Sequence, residues 1–267
     1  MSALKHFAWY LLTQALSTGA ALIRRRPVGF GPDAWRSVEF SYAHFGEDLV
    51  VLRLLRDIPA DRRGIYVDVG AFDPVRHSNT YLLYLHGWRG LNIDANPVRL
   101  ASFSHARPGE ISVLAAVSDA KRDVLFLEYP TPGTNRVVTP GTRGLANALG
   151  EEPVSVTPRR TETLTQLLGR HAPGADQIDF LNIDCEGLDL AVLRGLDWSR
   201  WTPRVIAVEA NTPDDRRALI GFLKVRGYRM VSQHLVTQIF LHASARATLP
   251  VGMWPRENHQ PHFRCGN

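Results

Sequence analysis

The residues of this chain best suited to chemistry are acids that stand where short apolar runs end. Ile65-Tyr66-Val67 leads into Asp68 and Gly70, and Leu91-Asn92-Ile93 leads into Asp94-Ala95-Asn96. Two later runs end at Asp184-Cys185-Glu186-Gly187 and at Glu209-Ala210-Asn211. Carboxylates in such places bind hydroxyl or ammonium groups, take protons, or ligate divalent cations.

The first turn starts like a dinucleotide fingerprint but lacks its second and third glycines. A pyrophosphate needs close backbone approach and a helix N-terminus free of competing negative charge, whereas Asp68 and Asp73 flank this turn. Such a site suits a ligand with an ammonium and no phosphates. Asp94 stands roughly 20 residues past the glycine turn, where an acid accepts hydrogen bonds from ribose hydroxyls. S-adenosylmethionine meets this description. Asp94 is expected on its ribose, and Asp68, directly or through water, on its ammonium, with Gly70 and Ala71 in the turn and Asn96 beside Asp94. Ser78, Asn79 and Thr80 are read as opening the next helix, with their N–H groups toward the methionine carboxylate. Ser118 or Asp119, where the third run ends, is expected to read the adenine amine. Taken alone, Asp68 or Asp94 could cap the helix that follows it; together, in order and at these spacings, they favour the ligand.

These turns must be held by strands and helices. β-rich runs occur at 65–69, 90–93, 111–117, 124–129, 178–183, 205–208, 228–231 and 238–241, several separated by helical patterns. That alternation predicts a parallel, doubly wound sheet. Phe45, Leu49, Leu52 and Leu55 follow helical spacing, with Glu47 and Asp48 in the first turn and Arg53 and Arg56 in the last. A helix follows Gly187 and stops at Gly195. Another starts from Thr212 as N-cap and Pro213, with Gly227 past its end. The last two runs leave no room for a helix and should form an antiparallel hairpin. Residues 130–160 break the rhythm and read as a loop or lid insertion.

The quoted series SYAHFGEDLVVLRLL, YVDVGAFDPVRHSNTYLLY, GWRGLNIDANP, AAVSD and IDFLNIDCEGLDLAVLRGLDW resembles the FkbM family of S-adenosylmethionine-dependent methyltransferases, in order, over residues 41–241. The resemblance implies an α/β, Rossmann-like class I methyltransferase fold: a seven-stranded, mostly parallel sheet with a C-terminal antiparallel hairpin. It implies methyl transfer to a hydroxyl oxygen, commonly of a sugar in a glycan, lipopolysaccharide or glycosylated natural product. The chain departs from the pattern at His44, where glutamine is expected, and at Cys185, where valine is common.

A neutral hydroxyl is a poor nucleophile, so its proton must be taken or the oxygen bound to a metal. Asp184 or Glu186 is a candidate general base; alternatively Asp184, Glu209 and Asn211 ligate Mg2+. Glu186 could instead cap the helix after Gly187. His44, just before the first helix, is a further candidate base or a packing residue, and His77 sits just beyond the turn. Acceptor contacts are expected from residues 130–160 and the N-terminal segment, whose arginines, Arg136 and Arg143 among them, suggest a phosphate or uronic acid. Rival readings are a nicotinamide-dependent oxidoreductase or nucleotide-sugar enzyme, and a cofactor-binding module without catalysis.

The chain's 45% hydrophobic residues in 267 suffice for one large α/β domain. This leaves an N-terminal helical extension over 1–40, a methyltransferase domain over 41–242 and a tail over 243–267. The net charge of +5 is spread along the chain without a basic stripe, which argues against nucleic acid. Cys185 and Cys265 lack metal-ligand spacing, and His259, His262 and Cys265 read as a loose tail, all of which fits a reducing cytoplasm. The apolar stretch from Phe7 to Ile23, followed by Arg24-Arg25-Arg26, is interrupted by polar residues and falls short of the roughly 20 apolar residues of a spanning helix. It is expected to dock or mediate homo-oligomerisation, or to lie with residues 1–26 on the inner face of a membrane.

Overall fold

The computed structural model describes residues 39–59, 62–172 and 177–245. The N-terminal apolar stretch and the tail with His259, His262 and Cys265 lie outside them. In chain order, α1 (Glu47–Leu54) precedes β1 (Ile65–Val69), α2 (Tyr81–Leu85), β2 (Arg89–Asp94), the short helices α3 (Pro97–Ala101) and α4 (Phe103–Ala106), and β3 (Ile111–Leu114). Next come β4 (Ala116–Val117), β5 (Asp123–Glu128), β6 (Arg136–Val138) and β7 (Ser155–Glu162). The chain continues through α5 (Leu164–His171), β8 (Phe180–Ile183), α6 (Asp189–Arg194), β9 (Val205–Glu209), α7 (Pro213–Lys224), β10 (Tyr228–His234) and β11 (Thr237–His242).

Seven strands form one sheet in the order β10-β11-β9-β8-β1-β2-β3. The five from β9 to β3 are parallel, while β11 runs antiparallel to both neighbours. This is the Rossmann-like architecture of class I methyltransferases. Both faces are covered, so the central strands are mostly apolar. On one face Val67, Val69, Ile93, Ile183 and Val208 pack against Leu164 and Leu168 of α5, Val192 of α6 and Leu223 of α7. On the other, Tyr66, Phe180, Val205 and Ala207 meet Val51 and Leu54 of α1 and Leu83 of α2.

The period-2 alternation of strands carries one exception through this second face. Asp68 pairs in register with Asn92 on β2 and with Asn182 on β8. In-register residues of parallel strands share a face, so three polar side chains form a row inside an otherwise apolar layer. The strand reversal point lies beside β1, and the carboxyl ends of β1, β2, β8 and β9 share one edge of the sheet, where ligands of such folds bind.

Helix ends follow their local chemistry. Thr212 caps α7 with a reciprocal capping box: its hydroxyl accepts from Asp215 N, and Asp215 accepts from Thr212 N. Asp48 gathers the segment before α1 by accepting from Ser41 Oγ at 2.6 Å and Tyr42 N at 2.7 Å.

Residues 130–160, read from sequence as a loop or lid, contain β6 and the start of β7, both antiparallel to β5 in a second sheet ordered β4-β7-β5-β6. Pro158 hides this strand in the sequence; it is tolerated because β7 pairs with β4 only at Thr161 and Glu162, leaving one edge open at Pro158. Among the described residues no helix is long and apolar enough to cross a membrane.

Candidate active site

A cavity of about 660 Å³ opens at the carboxyl edge of the main sheet. Its floor comes from the ends of β1, β2, β8 and β9, and its far wall from Phe126 of β5 and residues 131–137 of the second sheet.

Asp94 sits at the β2 end of this floor. Its Oδ2 accepts from Phe72 N at 2.8 Å and its Oδ1 from Asn96 N at 2.7 Å. A carboxylate oxygen offers two lone pairs, so each retains one for a ligand hydroxyl. Burial raises its proton affinity, and these two backbone N–H groups pull it back. The turn's single glycine is required by packing. Gly70 has φ near +80°, and a Cβ there would lie 1.8 Å from the Asp184 carbonyl oxygen, so the ends of β1 and β8 touch only because a side chain is missing. Gly70 N and Ala71 N both donate to Ile93 O, at 2.9 and 3.1 Å. Their share in the cavity is its shape.

Several cofactor contacts expected from sequence are placed differently. Asp68 borders the cavity as expected but is 2% exposed, and its two oxygens accept from Thr80 Oγ1 at 2.6 Å and Asn182 Nδ2 at 2.8 Å, so protein donors share its carboxylate. The expected helix start at Ser78, Asn79 and Thr80 comes later, at Tyr81, with Thr80 as its N-cap. Ser78 N donates to Tyr42 O, and Thr80 N to Ser78 Oγ, so these groups do not point at a ligand carboxylate. Asn79 borders the cavity and gives its Nδ2 to Asn182 Oδ1 at 2.9 Å. Asn96 borders it too, but its Oδ1 caps α3 through Val98 N and Arg99 N while its Nδ2 donates to Glu128. Ser118 is buried beneath Gly195, donates to Asp119, and does not line the cavity, because the chain leaves the main sheet at Ala115 and enters the second one. Apolar residues 115–117 and Phe126 stand there in its place.

At the other end, carboxyl oxygens of Asp184, Glu186 and Glu209 all lie within 4.8 Å of one another. Asn211 is a partner of Glu209, its Nδ2 donating to Oε2 at 3.0 Å. The loop carrying Asp184 and Glu186 is tied from below by buried Asp189, which accepts from Cys185 N at 2.9 Å and Gly187 N at 3.0 Å. Asp189, the acid of the first turn of α6, therefore holds the helix entry, and Glu186 faces the cavity with φ near +49°, a left-handed conformation uncommon for a residue with a side chain. Asp184 is an exposed residue, but the protein packed around its carboxyl, then the charges of Glu209, Asp189 and Glu186, raise its proton affinity. Burial also raises Glu209, and the Asn211 amide pulls it back. Glu186 is pushed up to about 7 by burial and by Glu209 and Asp189, against a lowering by Arg136.

The rim holds a stack of rings, with His44 4.4 Å from Phe45 and 4.3 Å from His77. His44 is exposed and lines the cavity. Arg136 also lines it, yet its Nε donates to Tyr129 OH and its Nη2 to the carbonyls of Gly144, Leu145 and Ala146. Through these bonds it clamps the second sheet's loop while bordering the cavity. Arg143 is outside the cavity.

Sequence reasoning missed Asn92, Asn182, Asp189, Phe126 and Arg107. Two left a signal: the tetrapeptide Leu-Asn-Ile-Asp occurs at both 91–94 and 181–184, placing an amide inside two buried strands. Residues 68–230 match the family described as the methyltransferase FkbM domain. No curated protein matches the chain.

Proposed function

The chain belongs to the methyltransferase FkbM family, and on that premise we propose that it moves a methyl group from S-adenosylmethionine to a hydroxyl oxygen of a sugar in a glycan, lipopolysaccharide or glycosylated natural product. When bound, the cofactor supplies an electrophilic methyl group on a sulfonium. The observation that carries the reading is one cavity with a hydrogen-bonded carboxylate, Asp94, at one end and three crowded carboxylates at the other.

The donor set fits the cofactor. Asp94 keeps a lone pair on each oxygen for the ribose hydroxyls, Asn79 and the Gly70 turn border the space for the amino-acid end, and residues 115–117 with Phe126 offer an apolar slot for adenine. A dinucleotide fits less well. The N–H groups of Gly70, Ala71 and Phe72, which would cradle a pyrophosphate, are spent on Ile93 and Asp94.

With the cofactor bound, Glu186 would take the proton of the acceptor hydroxyl as its oxygen gains the methyl group and the methyl–sulfur bond breaks to leave a neutral thioether. A base with a proton affinity near neutrality is matched to this work, since it is substantially ionised at physiological pH and still basic enough to accept. Glu209 and Asp189 crowd Glu186 with like charge, and Arg136 offsets part of it.

The same three carboxylates also form an oxygen set of the kind Mg2+ takes, and this supports a second reading in which they would hold the ion, which would polarise the acceptor hydroxyl. Undiminished turnover after exhaustive chelation would remove it. The primary reading is tested by incubating purified protein with labelled S-adenosylmethionine and glycan fractions. Label should enter a sugar O-methyl group; incorporation into nitrogen or protein instead would overturn it.

A further inference from the structure

Arg107 lies outside the cavity lining and is 1% exposed. Removing a guanidinium from water is costly unless its donors are met and its charge balanced. Here Nε donates to Pro74 O at 2.6 Å, Nη1 to Thr80 Oγ1 at 2.8 Å and Nη2 to Ser78 Oγ at 2.6 Å. Longer bonds run from Nη1 to Tyr66 OH at 3.3 Å and Asn92 Oδ1 at 3.4 Å. Glu110, itself hydrogen-bonded by Tyr66 OH and Asn92, supplies the counter-charge at 3.7 Å. All three short bonds fall in one segment, the link between the β1 turn and α2.

Arginine only donates, so Thr80 Oγ1 accepts from it, and its own hydrogen goes to Asp68 Oδ2, a charged acceptor at 2.6 Å, in preference to Ser78 Oγ at 3.3 Å. Asp68 is thereby an acceptor at that oxygen, and Asn182 Nδ2 donates to the other. The Asn182 carbonyl then accepts from Asn79 Nδ2, which leaves the Asn79 carbonyl oxygen for the cavity that Asn79 borders, an acceptor suited to an ammonium.

We infer that Arg107 is a positioning residue for the amino-acid end of the cofactor, acting through Thr80 and Asp68 on the segment 74–80 and on Asn79; this rests on the methyltransferase reading above. Lysine carries the charge but is a point donor that cannot span Pro74, Ser78 and Thr80 at once.

The test measures S-adenosylhomocysteine affinity by calorimetry, the KM for S-adenosylmethionine, kcat, and the urea midpoint, for the wild type, Arg107→Lys, Thr80→Val and the double variant. Each single variant should raise Kd and KM about tenfold, the size of one lost charge-assisted hydrogen bond, with kcat at saturation nearly unchanged. The double variant should fall well short of the product of the two effects, because both break one chain. A purely structural Arg107 would lower the midpoint and leave Kd and KM alone, which overturns the inference. If Arg107→Lys fails to fold, Thr80→Val decides: wild-type affinity in it overturns the inference, and a tenfold loss supports it. Wild-type protein that binds no S-adenosylhomocysteine overturns the functional reading, and the inference with it.

Discussion

The two ends of the cavity use the same residue type in opposite ways. On the β1 and β2 side, each carboxylate oxygen of Asp68 and Asp94 meets a donor: Thr80 and Asn182 for one, the Phe72 and Asn96 backbone for the other. On the β8 and β9 side, Asp184, Glu186 and Glu209 face one another. Burial raises proton affinity at both ends. Donors pull it back at the first, and like charges add to it at Asp184 and Glu186 in the second. Satisfied acids make a rigid binding wall, whereas crowded acids make groups that exchange protons near neutrality.

The largest expected effect that separates the ends is on turnover. Glu186→Gln should lower kcat on the order of 10²–10⁴-fold, the usual yield of a positioned base. Wild-type turnover should rise with pH through about 7, because the base must be ionised, and the residual activity of the variant should lose that limb. A pH profile unchanged in Glu186→Gln would break the contrast.

A smaller effect concerns stability. The folded-state proton affinity of Glu186 lies at about 7, above its ordinary 4.5. Between those values the folded chain holds a proton that the unfolded chain has released, so this group's contribution is full at acid pH and is lost as pH rises toward 7 and beyond. Glu186→Gln should therefore raise the urea midpoint relative to wild type at pH 8 and change it little at pH 4, trading activity for stability. Equal shifts at both pH values would mean that crowding of charge is not what distinguishes this end. The smallest effect lies outside both ends: Thr212→Ala should cost about 1 kcal/mol through its lost cap and leave cofactor affinity unchanged, as read by urea unfolding and calorimetry.

Strand-end acids were legible because each follows an apolar run that could only be a buried strand, and the same pattern disclosed the sheet and its final hairpin. The organisation around them was harder to read. Asn96 precedes Pro97, an N-cap signal plain in the sequence, yet its neighbour Asp94 drew it into the ligand site. Ser118 was misplaced because the run at 111–117 reads as one strand, while the chain switches sheets at Ala115. Arg107 was invisible: a lone arginine in a turn-rich stretch has no periodicity, and only tertiary packing brings Pro74, Ser78 and Thr80 around it. The strand at Ser155–Glu162 was masked by a proline and two arginines.

The central claim, that one end of the cavity binds the cofactor and the other moves the proton, is tested most directly by calorimetric titration of S-adenosylhomocysteine into wild-type, Asp94→Asn and Glu186→Gln protein. The expected result is an affinity in Glu186→Gln within about twofold of wild type, and a loss of about tenfold or more in Asp94→Asn, where ribose hydroxyls lose a charged acceptor. Equal losses in both variants, or none in Asp94→Asn, would contradict it.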